Sequence, residues 1–128
     1  MNIQKFTQKS IEAINECEKL ALEYGNQEIE QEHLLCSLLT IEDSLILKLI
    51  EKMEINKEHF LDRAQEALSK RVKVQGGQIY VGQDLNKVLI SAEDEAKRMG
   101  DEYVSVEHLF LSMIEHPSRT IKELWKEY

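Results

Sequence analysis

The chain has 128 residues, 42% of them hydrophobic, which is enough for one domain with a real core. Asp and Glu number 24 against 16 Lys and Arg, and the resulting net charge of −8 opposes phosphate backbones and anionic lipid, so neither nucleic acid nor a membrane is expected as a partner. No apolar run reaches the roughly 20 residues of a spanning helix, and no apolar stretch follows Met1 to Lys5 as a signal peptide requires, so a cytoplasmic location is expected.

Thr7 predicts the cap of a first helix, with Phe6 and Ile11 as a hydrophobic staple. Ile11, Ile14, Cys17, Ala21 and Tyr24 then recur at helical steps until Gly25 supplies a left-handed stop. A second helix is predicted over 31–40, with Leu34, Leu35, Leu38 and Leu39 inward. A third, entered through Asp43 and Ser44, carries Leu45, Ile46, Leu49, Ile50 and Met53. These two are Leu-rich on nearly all sides and are expected at the centre. Asn56 caps a fourth helix, whose apolar face is Phe60, Ala64, Ala67 and Leu68.

From Arg71 to Val81 the helical period disappears, and residues 72–81 read as an extended linker with a flexible middle at Gly76 and Gly77. A helix from Gly82 or Gln83 to Met99 follows and stops at Gly100. Ser105 caps the next, with Leu109, Phe110, Met113 and Ile114 inward. Beyond Pro117 a last helix carries Ile121, Leu124 and Trp125. The second half repeats the first at a constant spacing of 75 residues: Gly25 and Gly100, Glu32 and Glu107, His33 and His108, Leu34 and Leu109, and Ser37 and Ser112 are identical pairs. The fold class expected is all-α, two pseudo-symmetric repeats over 1–71 and 82–128. At that spacing the counterpart of residues 54–71 is missing, so Ile121, Leu124 and Trp125 are expected to form an exposed apolar strip.

Among candidate sites, Gly77 to Gly82 has the glycine spacing of a phosphate loop, but Gln83 and Asp84 stand where lysine and a hydroxyl are needed, and no nucleotide cofactor is expected. Glu32-His33 and Glu107-His108 cannot each chelate a metal, because adjacent helical residues point about 100° apart, and no metal is expected. The histidines read as packed or capping imidazoles in a first helical turn. Glu32 and Glu107 suit the positive end of a helix dipole and, as a symmetric pair of acids, could also hold a cationic ligand. His59 and His116 have no partner in sequence, and Cys17 and Cys36 read as buried small hydrophobes.

Lys5-Phe6-Thr7, Gly25-Asn26-Gln27-Glu28-Ile29 before Glu32-His33-Leu34-Leu35, and Gly100-Asp101-Glu102-Tyr103-Val104 before Glu107-His108-Leu109 resemble the duplicated N-terminal domain of the Clp family of AAA+ unfoldases, in particular its ClpB disaggregase branch. The resemblance runs over 1–128 and implies a docking module that is not itself an enzyme, set ahead of ATPase ring domains that act on unfolded or aggregated polypeptide held in a groove between the repeats. It carries substrate handling onto Thr7, Asp101 and Glu107. By the ClpC branch, the acids Glu32 and Glu107 would grip phosphorylated arginine, helped by a threonine opening each repeat. Gly82 replaces the second threonine, which weakens that reading at one site. Gln31 stands where the family often has proline, a change of no expected consequence at a helix start. The alternatives are a ClpC-type adaptor- or phosphoarginine-docking domain and a freestanding adaptor with this fold.

Overall fold

The computed structural model describes residues 3–128; Met1 and Asn2, at the head of the first expected repeat, lie outside them. After a 3-10 turn at Ile3–Lys5 come α1 (Gln8–Tyr24), β1 (Glu28–Ile29), α2 (Gln31–Thr40), α3 (Leu45–Lys52), α4 (Lys57–Ser69), β2 (Tyr80–Val81), α5 (Gln83–Arg98), α6 (Val106–Glu115) and α7 (Arg119–Trp125). Four helices start on a side-chain oxygen that accepts an orphan amide: Thr7 from Ser10 (3.2 Å), Ser44 from Leu47 (3.0 Å), Asn56 from His59 (3.1 Å) and Ser118 from Ile121 (3.3 Å). After α1 and α5 the chain turns at Gly25 (φ 70°) and Gly100 (φ 74°), which lets the amides of Asn26 and Asp101 donate back to Ala21 and Ala96, both at 2.8 Å.

The duplication is visible in the packing as well as in the caps. Ser37 on α2 donates to the carbonyl of Ala13 on α1 (2.5 Å), and Ser112 on α6 donates to that of Val88 on α5 (2.7 Å), so the identical serines close equivalent helix pairs. β1 runs parallel to β2, with Ile29 opposite Val81, and Phe6 forms a parallel bridge to Val104. Phe6 and Val81 hold the same repeat position, as do Ile29 and Val104. The segment entering each repeat's first helix is therefore pinned beside the segment entering the other repeat's second helix, and the buried residues of both halves form one hydrophobic core. The expected linker is tied at both ends. Asn26 Nδ2 donates to the Val72 carbonyl (3.2 Å), the Val74 amide to that of Gly25 (2.8 Å), and the Tyr80 amide to that of Gln27 (3.0 Å).

Helix α2 is the centre, with every residue from Gln31 to Leu39 buried. Gln31, expected to be of no consequence, joins three segments. Its amide nitrogen donates to the carbonyls of Asp84 (3.1 Å) and His116 (2.9 Å), and its Oε1 accepts the Ser118 amide (2.9 Å).

Three sequence expectations about burial are corrected: the exposed strip on α7, the central place of α3, and the inward face of Ile114. Ile121 and Leu124 on α7 are buried and Trp125 is half-buried, because α4 of the first repeat lies against α7. Phe60 places its ring 5.1 Å from that of Trp125, and Phe110 meets the indole edge-on at 6.2 Å. No exposed strip results, since the first repeat supplies the cover. Helix α3, conversely, is not central: Ile46 and Ile50 face the core, but Leu45, Leu49 and Met53 are 41–49% exposed, and Leu111 and Ile114 on α6 are also outside.

Candidate functional site

The Glu-His-Leu motifs begin α2 and α6, and in both the histidine fixes the helix start. The Glu30 amide donates to His33 Nδ1 (2.9 Å), and the Ser105 amide to His108 Nδ1 (2.9 Å), the return bond of a capping box with imidazole in place of the usual Glu or Gln. With Nδ1 accepting, Nε2 carries the proton. His33 Nε2 donates to Asn26 Oδ1 (3.0 Å), and His108 Nε2 to the Asp101 carboxylate (2.8 Å). Burial, reinforced by the nearby Arg71 charge, holds His33 down to about 4. It is a neutral packed imidazole, as its place in the sequence predicts. Asp101, half-exposed, thus orients His108, and through it the start of α6.

The two glutamates do not converge. Glu32 is buried, and Arg71, the second residue after α4, forks across Glu32 (2.8 Å) and Glu28 (3.0 Å). Burial works against the Arg71 charge, but the two carboxylates outweigh it and hold the guanidinium above its ordinary value. Beside them, α5 starts on Gly82, which has no side chain to cap it. Glu30 Oε1 crosses from the first repeat and accepts the Leu85 amide at 2.8 Å, the bond that Thr7 makes to Ser10 within the first repeat. A Cβ on Gly82 would overlap the Glu30 carboxyl and come within 2.8 Å of Glu28 Cγ. Burial raises Glu30, against the pull of the Leu85 amide. The place of the missing threonine is therefore occupied by an acid.

Glu107 stands in the open. It accepts from Ser105 Oγ at 3.3 Å, and among the described residues no ion pair closes it. Thr7 and Glu107 line one cavity of about 420 Å³ with Ile41, Asp43, Leu45 and Ser105. Leu45 and Glu107 also line the next cavity, about 410 Å³, whose floor is Ile46, Leu49, Phe110 and Leu111 and whose far side is Lys48 and Lys52. Together these form a groove between α3 and α6, that is, between the two halves, with Thr7, Lys9, Asp43 and Glu107 lining one part and Lys48 and Lys52 beside the apolar residues of the other.

Of the four site residues expected from the sequence, the structure brings Thr7 and Glu107 together, sets Asp101 behind them as a support of His108, and places Glu32 in a separate cleft. Sequence reasoning missed Arg71, Glu30 and the exposed leucines of α3. Only the leucines left a signal, since an eight-residue helix that is apolar on nearly all sides has more apolar surface than one neighbour covers. Cys17 and Cys36 are buried and unpaired, and burial followed by the Glu32 charge pushes the Cys36 thiol up to about 12, so neither is a poised nucleophile. No described helix is long and apolar enough to cross a membrane.

A family model described as the Clp repeat (R) N-terminal domain matches residues 5–128. The chain is 41% identical over 126 residues to the chaperone protein ClpB of Nitratidesulfovibrio vulgaris, covering 94% of this chain and 15% of the relative. It thus spans about 15% of that protein's length. Among solved structures, the Hsp104 N-terminal domain from Candida albicans superposes with a TM-score of 0.86 at 24% identity, covering 96% of this chain and 81% of that one. A ClpV N-domain in complex with a VipB peptide superposes at 0.76 and 18% identity, covering 97% and 79%. At such identities the structural likeness establishes the fold alone.

Proposed function

We propose that this chain, which belongs to the Clp repeat N-terminal domain family, is the client-docking N-terminal domain of a ClpB-type disaggregase and holds unfolded or aggregated polypeptide in the groove between α3 and α6. The observation that carries the reading is the groove itself. Leu45, Leu49 and Leu111 stay exposed beside Phe110 although the same helices bury their other faces, and an apolar surface rimmed by charge marks a protein-binding site. An extended segment would lay apolar side chains on the leucines and a donor-rich group against Thr7 and Glu107. The ClpV relative's complex with a peptide supports peptide docking as a use of this fold. Included in the proposal are the division into repeats 1–71 and 82–128 joined by 72–81, ATPase ring domains elsewhere in a longer parent chain, and handover of the client to that ring, with adaptor proteins as further partners.

A second reading, phosphoarginine docking of the ClpC type, is favoured by one observation only: Thr7 and Glu107 share a cavity, so a hydroxyl and a carboxylate can address a phosphate and a guanidinium together. The Glu32 site offers no such pair. Titrating the domain with a permanently unfolded client, with and without phosphoarginine, tests both readings. Leu49→Asp or Leu111→Asp is expected to weaken the plain client about tenfold or more, as loss of a central apolar anchor does. Glu107→Ala is expected to cost about tenfold for a client presenting a cation. Unchanged affinity in the two aspartate variants overturns the groove reading, and equal affinity for modified and plain client removes the second. A reading frame that closes directly behind Tyr128, with no Walker loops, would favour the freestanding adaptor.

A further inference from the structure

The repeat gives the chain two equivalent acids at helix starts, and one of them already holds a guanidinium. Glu32 has a side chain 4% exposed, and Arg71 reaches it with Nη1 while Nη2 reaches Glu28, a fork across two carboxylates. The stem of Arg71 is not fitted in the same way: its Nε is buried without a hydrogen-bond partner. Only the terminal nitrogens, the part that any alkylguanidinium presents, are satisfied. The side chain, with Lys70 beside it, also lines two cavities. One, of about 270 Å³, lies between α4 and α7 and includes Glu32, Ala67 and Leu124, with Arg63 and Lys70 also on its lining. The other, of about 400 Å³, lies under the linker and includes Glu28, Val72 and Tyr80. Withdrawing Arg71 would leave both carboxylates without their guanidinium partner.

We propose that Glu28 and Glu32 form a guanidinium-binding site that the chain keeps filled with its own Arg71, so that this copy of the repeat is closed to outside ligands while the Glu107 copy stays open. Because Arg71 is tethered one residue beyond the cap of α4, its effective concentration at the site is on the order of millimolar or more, and an arginine of another chain at micromolar concentration does not displace it. Lysine would not serve, since a point charge cannot span both carboxylates as the planar fork does.

The test is complementation. Ethylguanidinium is titrated by calorimetry into the wild-type domain, Arg71→Ala and Arg71→Ala/Glu32→Gln, with ethylammonium as the control. Arg71→Ala is expected to bind ethylguanidinium saturably and about tenfold or more tighter than either other protein, and to recover part of its lost Tm as it does so. A merely structural ion pair predicts a lower Tm for Arg71→Ala with no saturable binding, and that result overturns the proposal. If Arg71→Ala does not fold, Arg71→Lys keeps a cation in the cleft, and ethylguanidinium should shift the amide resonances of Glu28 and Tyr80 to saturation. Absence of that shift also overturns it. Neither readout involves a client, so the outcome is independent of the groove between α3 and α6.

Discussion

At the start of α2, Glu32 lies buried under Arg71 and Glu30 reaches across to cap α5; at the start of α6, Glu107 stands exposed beside Thr7. The two helix starts share Glu-His-Leu, the capping imidazole and the serine that closes the helix pair. What differs is the neighbourhood. Helix α2 is surrounded by α1, α3, α4, α5, α6 and α7, whereas α6 leaves a flank free next to a short α3. A duplicated motif therefore specifies a helix start twice but an accessible acid only once, because accessibility belongs to the surrounding packing.

The shared part of the comparison is the part most expensive to disturb. Leu34 and Leu109 are both fully buried, so Leu34→Ala and Leu109→Ala are each expected to cost about 2 to 5 kcal/mol in denaturant unfolding. Similar losses in the two halves, with one transition in each case, would agree with the single core. A loss confined to one substitution would show that the halves are packed less alike than their sequences.

His33 gives the start of α2 a pH dependence of its own. Burial and Arg71 hold His33 at about 4 in the fold, below its ordinary 6.5, so the unfolded chain takes up a proton that the folded one refuses. Stability contributed by neutral His33 is present above about pH 6.5 and lost as the pH falls toward 4, up to roughly 3 kcal/mol in all. His33→Gln keeps the return bond of the capping box without titrating. The measurement is the change in unfolding free energy between about pH 7 and pH 4 in wild type minus that in His33→Gln. Glu30, raised by burial, acts with the opposite sign, favouring the fold at low pH and losing that contribution as the pH rises above 4.5, but it is common to both proteins and drops out of the difference. A difference near zero would mean that His33 is not held neutral.

Helix order, the glycine stops, most caps and the repeat were legible in the sequence because each rests on local chemistry: a hydroxyl before an apolar period, a glycine after it, a constant spacing. The capping role of His33 and His108 was legible for the same reason. The closed state of Glu32 was not, since it depends on Arg71 arriving from the end of α4, 39 residues away. Nor was the cover over Trp125, because Phe60 lies in the other repeat and the 75-residue spacing relates only equivalent positions. Asn26 and Asp101 share a repeat position behind the two glycines, yet only tertiary structure shows that both serve the histidines.

The threonine that one copy has and the other lacks gives the third test. Gly82→Thr should restore a cap to α5 in principle, but its side chain collides with the Glu30 carboxyl, and a loss of about 1 to 3 kcal/mol is expected from overpacking. Gly82→Thr/Glu30→Ala removes the obstacle, and the threonine can then accept the Leu85 amide as Thr7 accepts that of Ser10. The double variant is expected to regain most of the loss in thermal unfolding. If Gly82→Thr alone were neutral, the acid would not be filling the place of a threonine.

The smallest expected effect lies at the open acid. Glu107 is exposed, accepts only from Ser105 Oγ, and touches no cation among the described residues, so its contribution to stability is that of a carboxylate near the positive end of α6. Glu107→Gln is therefore expected to cost roughly 0.3 to 1 kcal/mol, less at high salt, where surface charges are screened. Glu32→Gln, which leaves Arg71 with one carboxylate in a half-buried cleft, is expected to cost more than Glu107→Gln at every salt concentration, because hydrogen bonds to charged groups are lost there. Unfolding of the two variants across a salt series measures this. Equal losses would indicate that Glu32 is no more engaged than Glu107, and the contrast between a closed and an open copy would then have to be abandoned.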